Sequence, residues 1–332
     1  MNVTILPLLG ALHLRFPSYN AVSVRDAVAA FRPDAVAATG LEPDFRADPD
    51  WQDTPEIVLP HTVVPWARAR NLPVYGVHQP SPDPTAARDF QRYLNEYGKG
   101  QQIFGELNAL LRPLQALLGE GLSLERIQNE VLPIVREHQH RREALLEDGP
   151  GTDWLHERAV TMAERIAALP HERVAVLASI DHIPFLEEAL ATRVELEPPP
   201  HPEPSEEARE RSLLDLAFRV DVPEPGNVIA RLRDMTSPEA RYHEANLLLA
   251  NGHAAEALET LEMASRGDFS RPYYLPGYLL SRLGQLRDLM GERDGALRAY
   301  RGVRALDWVP PEALAVAEEG LEHPFGVDTP TS

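Results

Sequence analysis

The 332-residue chain contains no cysteine. That absence removes disulfides, thiolate zinc sites and cysteine nucleophiles together, and it accords with a cytoplasmic protein. Positive charge is also scarce: 32 Lys and Arg stand against 51 Asp and Glu, a formal net charge of −19. Binding a nucleic-acid backbone needs clustered Lys and Arg; no such run is present, and no nucleic-acid partner is expected. No apolar stretch approaches the roughly 20 residues that cross a bilayer, so no membrane partner is expected either. The start, MNVTILPLLGALHLRF, has neither a basic leader nor a small-residue cleavage site and reads as a first strand. Ser18 and Ser179 lie outside any GxSxG turn. Neither a GxGxxG nor a Walker-type loop occurs.

What is present is an ordinary globular composition, 43% apolar and 25% charged, in a chain long enough for two domains with their own cores. In the first half strand and helix signals alternate. VTILPLL (3–9), PDAVAAT (33–39), NLPVYGV (71–77) and RVAVLASI (173–180) read as strands. Between them, 23–32, 57–70 and 153–169 read as helices, and PFLEEAL (184–190) precedes a further strand signal, RVELE (193–197). This rhythm predicts βαβ crossovers and an α/β fold with a parallel-type central sheet. Residues 84–148 are helical in pattern, a helical insert broken at GKG (98–100) and GEG (119–121). EPPPHPEPSEE (197–207) marks a linker. The expected organisation is an α/β domain over 1–197, a Pro-rich linker with bridging helices over 198–235, and an all-α region over 236–325.

The last region repeats itself. NGHAAEALETLEMA (251–264) lines up with MGERDGALRAYRGV (290–303), pairing Gly252 with Gly291, Ala257 with Ala296, Leu258 with Leu297 and Leu261 with Tyr300, 39 positions apart. These segments resemble the second helix of a tetratricopeptide (TPR) hairpin, in which Ala permits close helix packing and Gly makes the turn. That resemblance implies a peptide or protein partner. Two hairpins are fewer than the roughly three that stand alone, so packing on neighbours or a homodimer is expected.

In an open parallel sheet, ligands bind beyond the carboxyl ends of the strands. His13 follows the first strand, His78 the third and His182 the fourth. Imidazoles delivered to one edge can build a divalent-metal or proton-transfer site, with Asp181, Glu42 or Asp34 supplying negative charge. Plainer readings stand beside these. His13 can cap a strand end through backbone bonds, Asp181 can cap the helix that follows it, His78 can be a solvated loop residue, and Arg158 a surface ion-pair partner. His138 and His140 point about 200° apart on a helix and do not share a metal easily.

Several short motifs occur in a familiar order: GALH (10–13) as a GxxH, PDAVAATGLEPDFR (33–46), HERAVTMAERIA (156–167) and SIDHIPF (179–185). Over roughly 1–195 this order is similar to the TraB/TIKI/GumN superfamily, which includes ChaN-like and erythromycin-esterase-like proteins. The resemblance implies an α/β fold with two related halves and a pocket where two motif histidines meet. It also implies metal-dependent hydrolysis of a peptide or ester, with haem binding as a second, lesser cofactor expectation. Gly10, His13, Arg158, Met162 and His182 match motif positions. Thr39 stands where a glutamate is expected, Ala159 for an asparagine, Ser179 and Phe185 for glycines, and His78 for an aspartate. On this footing His13, His182 and His78 would ligate the metal. Glu42 or Asp181 would complete the shell or act as general base, and Arg158 would orient a substrate carboxylate or an oxyanion. The alternative is a non-catalytic ligand-binding or scaffold protein whose TPR-like region grips a partner.

Overall fold

The computed structural model describes residues 1–48, 50–80, 98–146, 154–218 and 224–326, together with Arg88, Arg92, 94–96 and Val222. Contacts divide the chain into two compact units, Met1–Ser212 and Leu213–Ser332.

The first unit is built on five parallel strands in the order β3-β2-β4-β1-β5: β1 (Asn2–Leu8), β2 (Ala35–Ala38), β3 (Val74–Gly76), β4 (Arg173–Ser179) and β5 (Glu195–Glu197). The unbroken apolar runs of β1 and β4 follow from this placement, since an inner parallel strand is covered on both faces. Their residues 3–8 and 174–178 are buried.

Helix α1 (Ala21–Phe31) starts because Asn20 Oδ1 accepts the backbone N–H groups of Val22 and Ser23. It stops at Arg32, which takes a left-handed conformation at φ 54. Val24, Ala27, Val28 and Phe31 form its buried stripe. A wide helical turn at Leu59–Val63 runs into α2 (Val64–Ala69). In the insert, α3 (Gly100–Leu118) ends at the second glycine interruption, and after it comes α4 (Leu132–Leu146). Much of 84–97 and all of 147–153 lie outside the described residues. Helices α5 (Trp154–Ala167) and α6 (Ile183–Ala191) flank β4.

The chain moves from β1 to β2 to β3 toward one edge of the sheet, then from β3 to β4 to β5 toward the other. Right-handed crossovers put those two groups of helices on opposite faces. Packing agrees, with α1 against the 59–63 turn and α5 against α6. The sheet therefore has a switch point between β2 and β4, where adjacent strands send the chain in opposite directions.

Helix α7 (Glu206–Ala217) carries the boundary between the units, so the Pro-rich segment is only the approach to a helix. The second unit is helical: α8 (Pro225–Arg233), α9 (Pro238–Ala250), α10 (Ala254–Ala264), α11 (Leu275–Leu289), α12 (Arg293–Arg304) and α13 (Pro311–Glu322). Helix α9 packs on α10, and α11 on α12. The aligned glycines turn both pairs in the left-handed region, Gly252 at φ 84 and Gly291 at φ 77. Tyr300 fills a gap that exists because Gly284 and Gly320 lack side chains. A Cβ at either would come within 2.4 Å of its ring. No helix among the described residues is long and apolar enough to cross a membrane.

Candidate functional site

A cavity of about 450 Å3 opens at the switch point, walled by the segments that leave β2, β3 and β4. This is where the topology of an open parallel sheet places ligands. Its inner wall carries Thr39, Glu56, His78, Arg158, Ser179 and His182. Phe45 and Trp51 supply apolar surface, and exposed Glu42, Asp48 and Asp50 stand at the rim.

Each inner residue is positioned by its neighbours. The Thr39 hydroxyl bridges the Ser179 N–H at 3.3 Å and His182 Nδ1 at 3.2 Å. Thr39 thus ties the end of β2 to the end of β4. His78 follows β3; its Nδ1 donates to the Thr39 carbonyl at 2.8 Å. Helix α5 buries Ala159, Met162, Ala163 and Ile166 and turns Arg158 and Arg165, seven residues apart, to the loop after β3. Arg165 donates to the His78 carbonyl and to Gln79 Oε1, fixing the loop. The Arg158 guanidinium lies 3.1 Å from His78 Nδ1 and 3.4 Å from its Nε2. Glu42, 56% exposed, reaches His78 Nε2 at 3.5 Å.

These groups shape one another's protonation. Burial, followed by the charges of Arg158 and His78, pushes His182 down to about 3, so it is a neutral imidazole at physiological pH. Glu56 is raised above the ordinary carboxylate range by burial, with a smaller upward push from Asp181. The Gly10 N–H and the Ser179 hydroxyl pull it partly back.

Of the six residues expected from the sequence, Glu42, His78, Arg158 and His182 meet at the cavity, and His13 and Asp181 are not in its wall. His13 is 1% exposed and fully engaged: Nε2 accepts the Leu9 N–H at 3.1 Å and Nδ1 donates to the Tyr19 carbonyl at 2.8 Å. Both nitrogens serve the backbone, which leaves neither lone pair for a metal or haem iron. Asp181 is exposed, and its carbonyl accepts the Gln139 amide.

The cavity's donors also fit a divalent ion poorly. A guanidinium beside both nitrogens of His78 repels a second cation. Among the described residues, no group of three or more His, Asp and Glu is arranged to hold a metal. Thr39 and Ser179 stood out in the sequence only as departures from the motif, and Glu56 had no signal at all. Glu56 in particular lies in an irregular loop with no periodicity and no motif. Compared with family models, curated proteins and solved structures, the chain matches none.

Proposed function

We propose that the chain is a hydrolase of the TraB/TIKI type, acting on a peptide or ester bond, in which side chains rather than a resident metal carry the chemistry. The observation that supports this reading is the meeting of Arg158, His78, His182 and Glu56 on one cavity at the switch point. A volume of about 450 Å3 falls within the usual range for small-molecule sites. Arg158 offers a charged fork to a substrate carboxylate or a developing oxyanion. Neutral His182 can donate or accept a hydrogen bond there without adding charge. The absence of cysteine suits a cytoplasmic setting.

The second unit is proposed to be TPR-like and to hold a peptide or protein partner. The support is the pair of left-handed glycine turns at aligned positions, Gly252 and Gly291. If the cavity does not turn over substrate, this unit carries the function and the cavity is a ligand sensor.

The test is hydrolysis of 4-nitrophenyl esters and amino-acid 4-nitroanilides by protein stripped with EDTA. Turnover that survives the chelator and falls in Arg158→Gln supports the proposal. Turnover seen only after adding zinc, manganese or cobalt restores the metal-dependent reading. No turnover of any probe moves the function to the helical unit.

A further inference from the structure

The two GxxH-like motifs of this chain converge on a residue that belongs to neither. Glu56 lies in the loop between β2 and α2 and is 6% exposed in the cavity wall. Its Oε2 accepts the N–H of Gly10, from the first motif, at 3.0 Å. Ser179, which opens the second, lines the same cavity and draws the Glu56 pKa down. We infer that Glu56 is the general base of this cavity, seated by the Gly10 N–H to take a proton from an attacking water. This rests on the hydrolase reading above.

The seat is built at some cost to stability. Gly10 presents its N–H from a left-handed conformation at φ 57, where a side chain would be strained, and a Cβ there would meet the Pro55 carbonyl at 3.2 Å. His13 then holds that turn through Leu9 and Tyr19. Gly40 lies so close that a Cβ would sit 2.8 Å from Glu56 Cγ. A buried carboxylate is expensive unless paired, yet Glu56 has one backbone donor, the Gly10 N–H, and no ion pair among the described residues. For packing alone, an apolar residue would be more stable. A carboxyl kept with weak support, in a cavity whose wall also carries a guanidinium, is an arrangement that suits proton transfer. The titratable groups around it are Asp181, which raises it, and His182, His78, Arg158, Glu42, Asp48, Asp50 and Asp53 in the same cavity.

In the reaction, the Glu56 carboxylate removes a proton from water as the water oxygen bonds to the substrate carbonyl carbon. The carbonyl π pair moves onto its oxygen, and Arg158 is the cation placed to receive that charge. Collapse re-forms the carbonyl and breaks the bond to the leaving alcohol or amine, which takes the proton back from Glu56. One water is consumed, and an acid plus an alcohol or amine are released.

The experiment uses the full chain, treated with EDTA, and the 4-nitrophenyl ester that the wild type cleaves fastest. Glu56→Gln keeps an oxygen for the Gly10 N–H and is expected to lower kcat by roughly 100-fold or more. Ser179→Ala removes a side chain that draws the carboxyl pKa down, so its acid limb of kcat against pH should move upward. An unchanged kcat and pH profile in Glu56→Gln overturns the assignment while leaving the hydrolase reading intact. Loss in Ser179→Ala equal to that in Glu56→Gln would make the hydroxyl the nucleophile and overturn the water mechanism. Should Glu56→Gln not fold, an unshifted acid limb in Ser179→Ala overturns the assignment on its own. A wild type that cleaves neither the esters nor the amino-acid 4-nitroanilides overturns both this inference and the reading beneath it.

Discussion

His13 and Tyr19 are joined by a 2.8 Å hydrogen bond from the imidazole Nδ1 to the backbone carbonyl, with the two rings packed at 5.3 Å. Together with the bond from the Leu9 N–H, it makes this histidine a staple across the turn that follows β1. Removing it should unfold rather than merely inactivate. His13→Ala is expected to cost about 2–4 kcal/mol, the sum of a lost buried bond and a cavity. Urea unfolding of the wild type and variant at neutral pH measures it; a change below about 0.5 kcal/mol, the usual effect of a surface substitution, would contradict the staple.

The same residue predicts acid sensitivity. Burial lowers His13 to about 4 in the folded chain, against 6.5 ordinarily. Between those values the unfolded chain binds the extra proton, so stability is full above the window and declines as pH falls through it. Linkage gives a loss of about 2 kcal/mol by pH 5 from this group alone. Unfolding midpoints at pH 7 and pH 5 check the slope, and His13→Gln should flatten it.

Arg158 should be legible in the titration of His182. After burial, its charge is the largest cause of the depressed imidazole pKa. Arg158→Gln is therefore expected to move the His182 titration upward, toward its ordinary range. Long-range 15N correlation spectra of the imidazole follow it directly, and an unmoved titration would separate the two side chains.

Gly40 predicts a steric effect on the site. Adding a methyl group places a Cβ 2.8 Å from Glu56 Cγ and 3.2 Å from Leu59 Cδ1. Gly40→Ala should cost about 1–3 kcal/mol as an overpacking change and displace the Glu56 carboxyl from the Gly10 N–H. The amide shift of Gly10 reports that displacement, and unfolding reports the cost.

In the helical unit, the Asp288 side chain is fully buried and accepts bonds from Tyr300 Oη at 3.0 Å, Arg293 at 3.0 Å and the Phe325 N–H at 2.9 Å. Tyr300→Phe removes one of those donors and should cost about 1–3 kcal/mol. Gly284→Ala, whose Cβ would come 2.3 Å from the Tyr300 ring, should cost at least as much. Thermal unfolding of the full chain measures both.

The α/β fold was readable because β1 and β4 carry apolar runs rich in Val, Ile and Leu and the helix after β1 has a clear apolar stripe. Residues 35–38 and 173–179 fall inside the stretches expected as strands, and all five strands are parallel. The edge of the sheet that bears the cavity was readable too, since His78 and His182 follow strand ends, whereas Arg158 was marked only by the resemblance. What could not be read was the order of the strands. Without knowing that β4 lies between β2 and β1, the sequence cannot say that Ser179 and Thr39 face the same cavity or that His13 stays out of it. Nor does periodicity speak for Glu56, which is held by the backbone N–H of Gly10, 46 residues away and brought to it only by the fold.

The central claim, that the Gly10 N–H seats a working carboxyl at Glu56 whose pKa Ser179 draws down, is tested most directly by titrating that carboxyl. Side-chain 13C spectra of Glu-labelled protein, assigned with Glu56→Gln, give its pKa in the wild type and in Ser179→Ala. The account predicts a value above the ordinary 4.5 in the wild type and a further rise when the hydroxyl is removed. A carboxyl that titrates at or below the ordinary value, unmoved by Ser179→Ala, would contradict it.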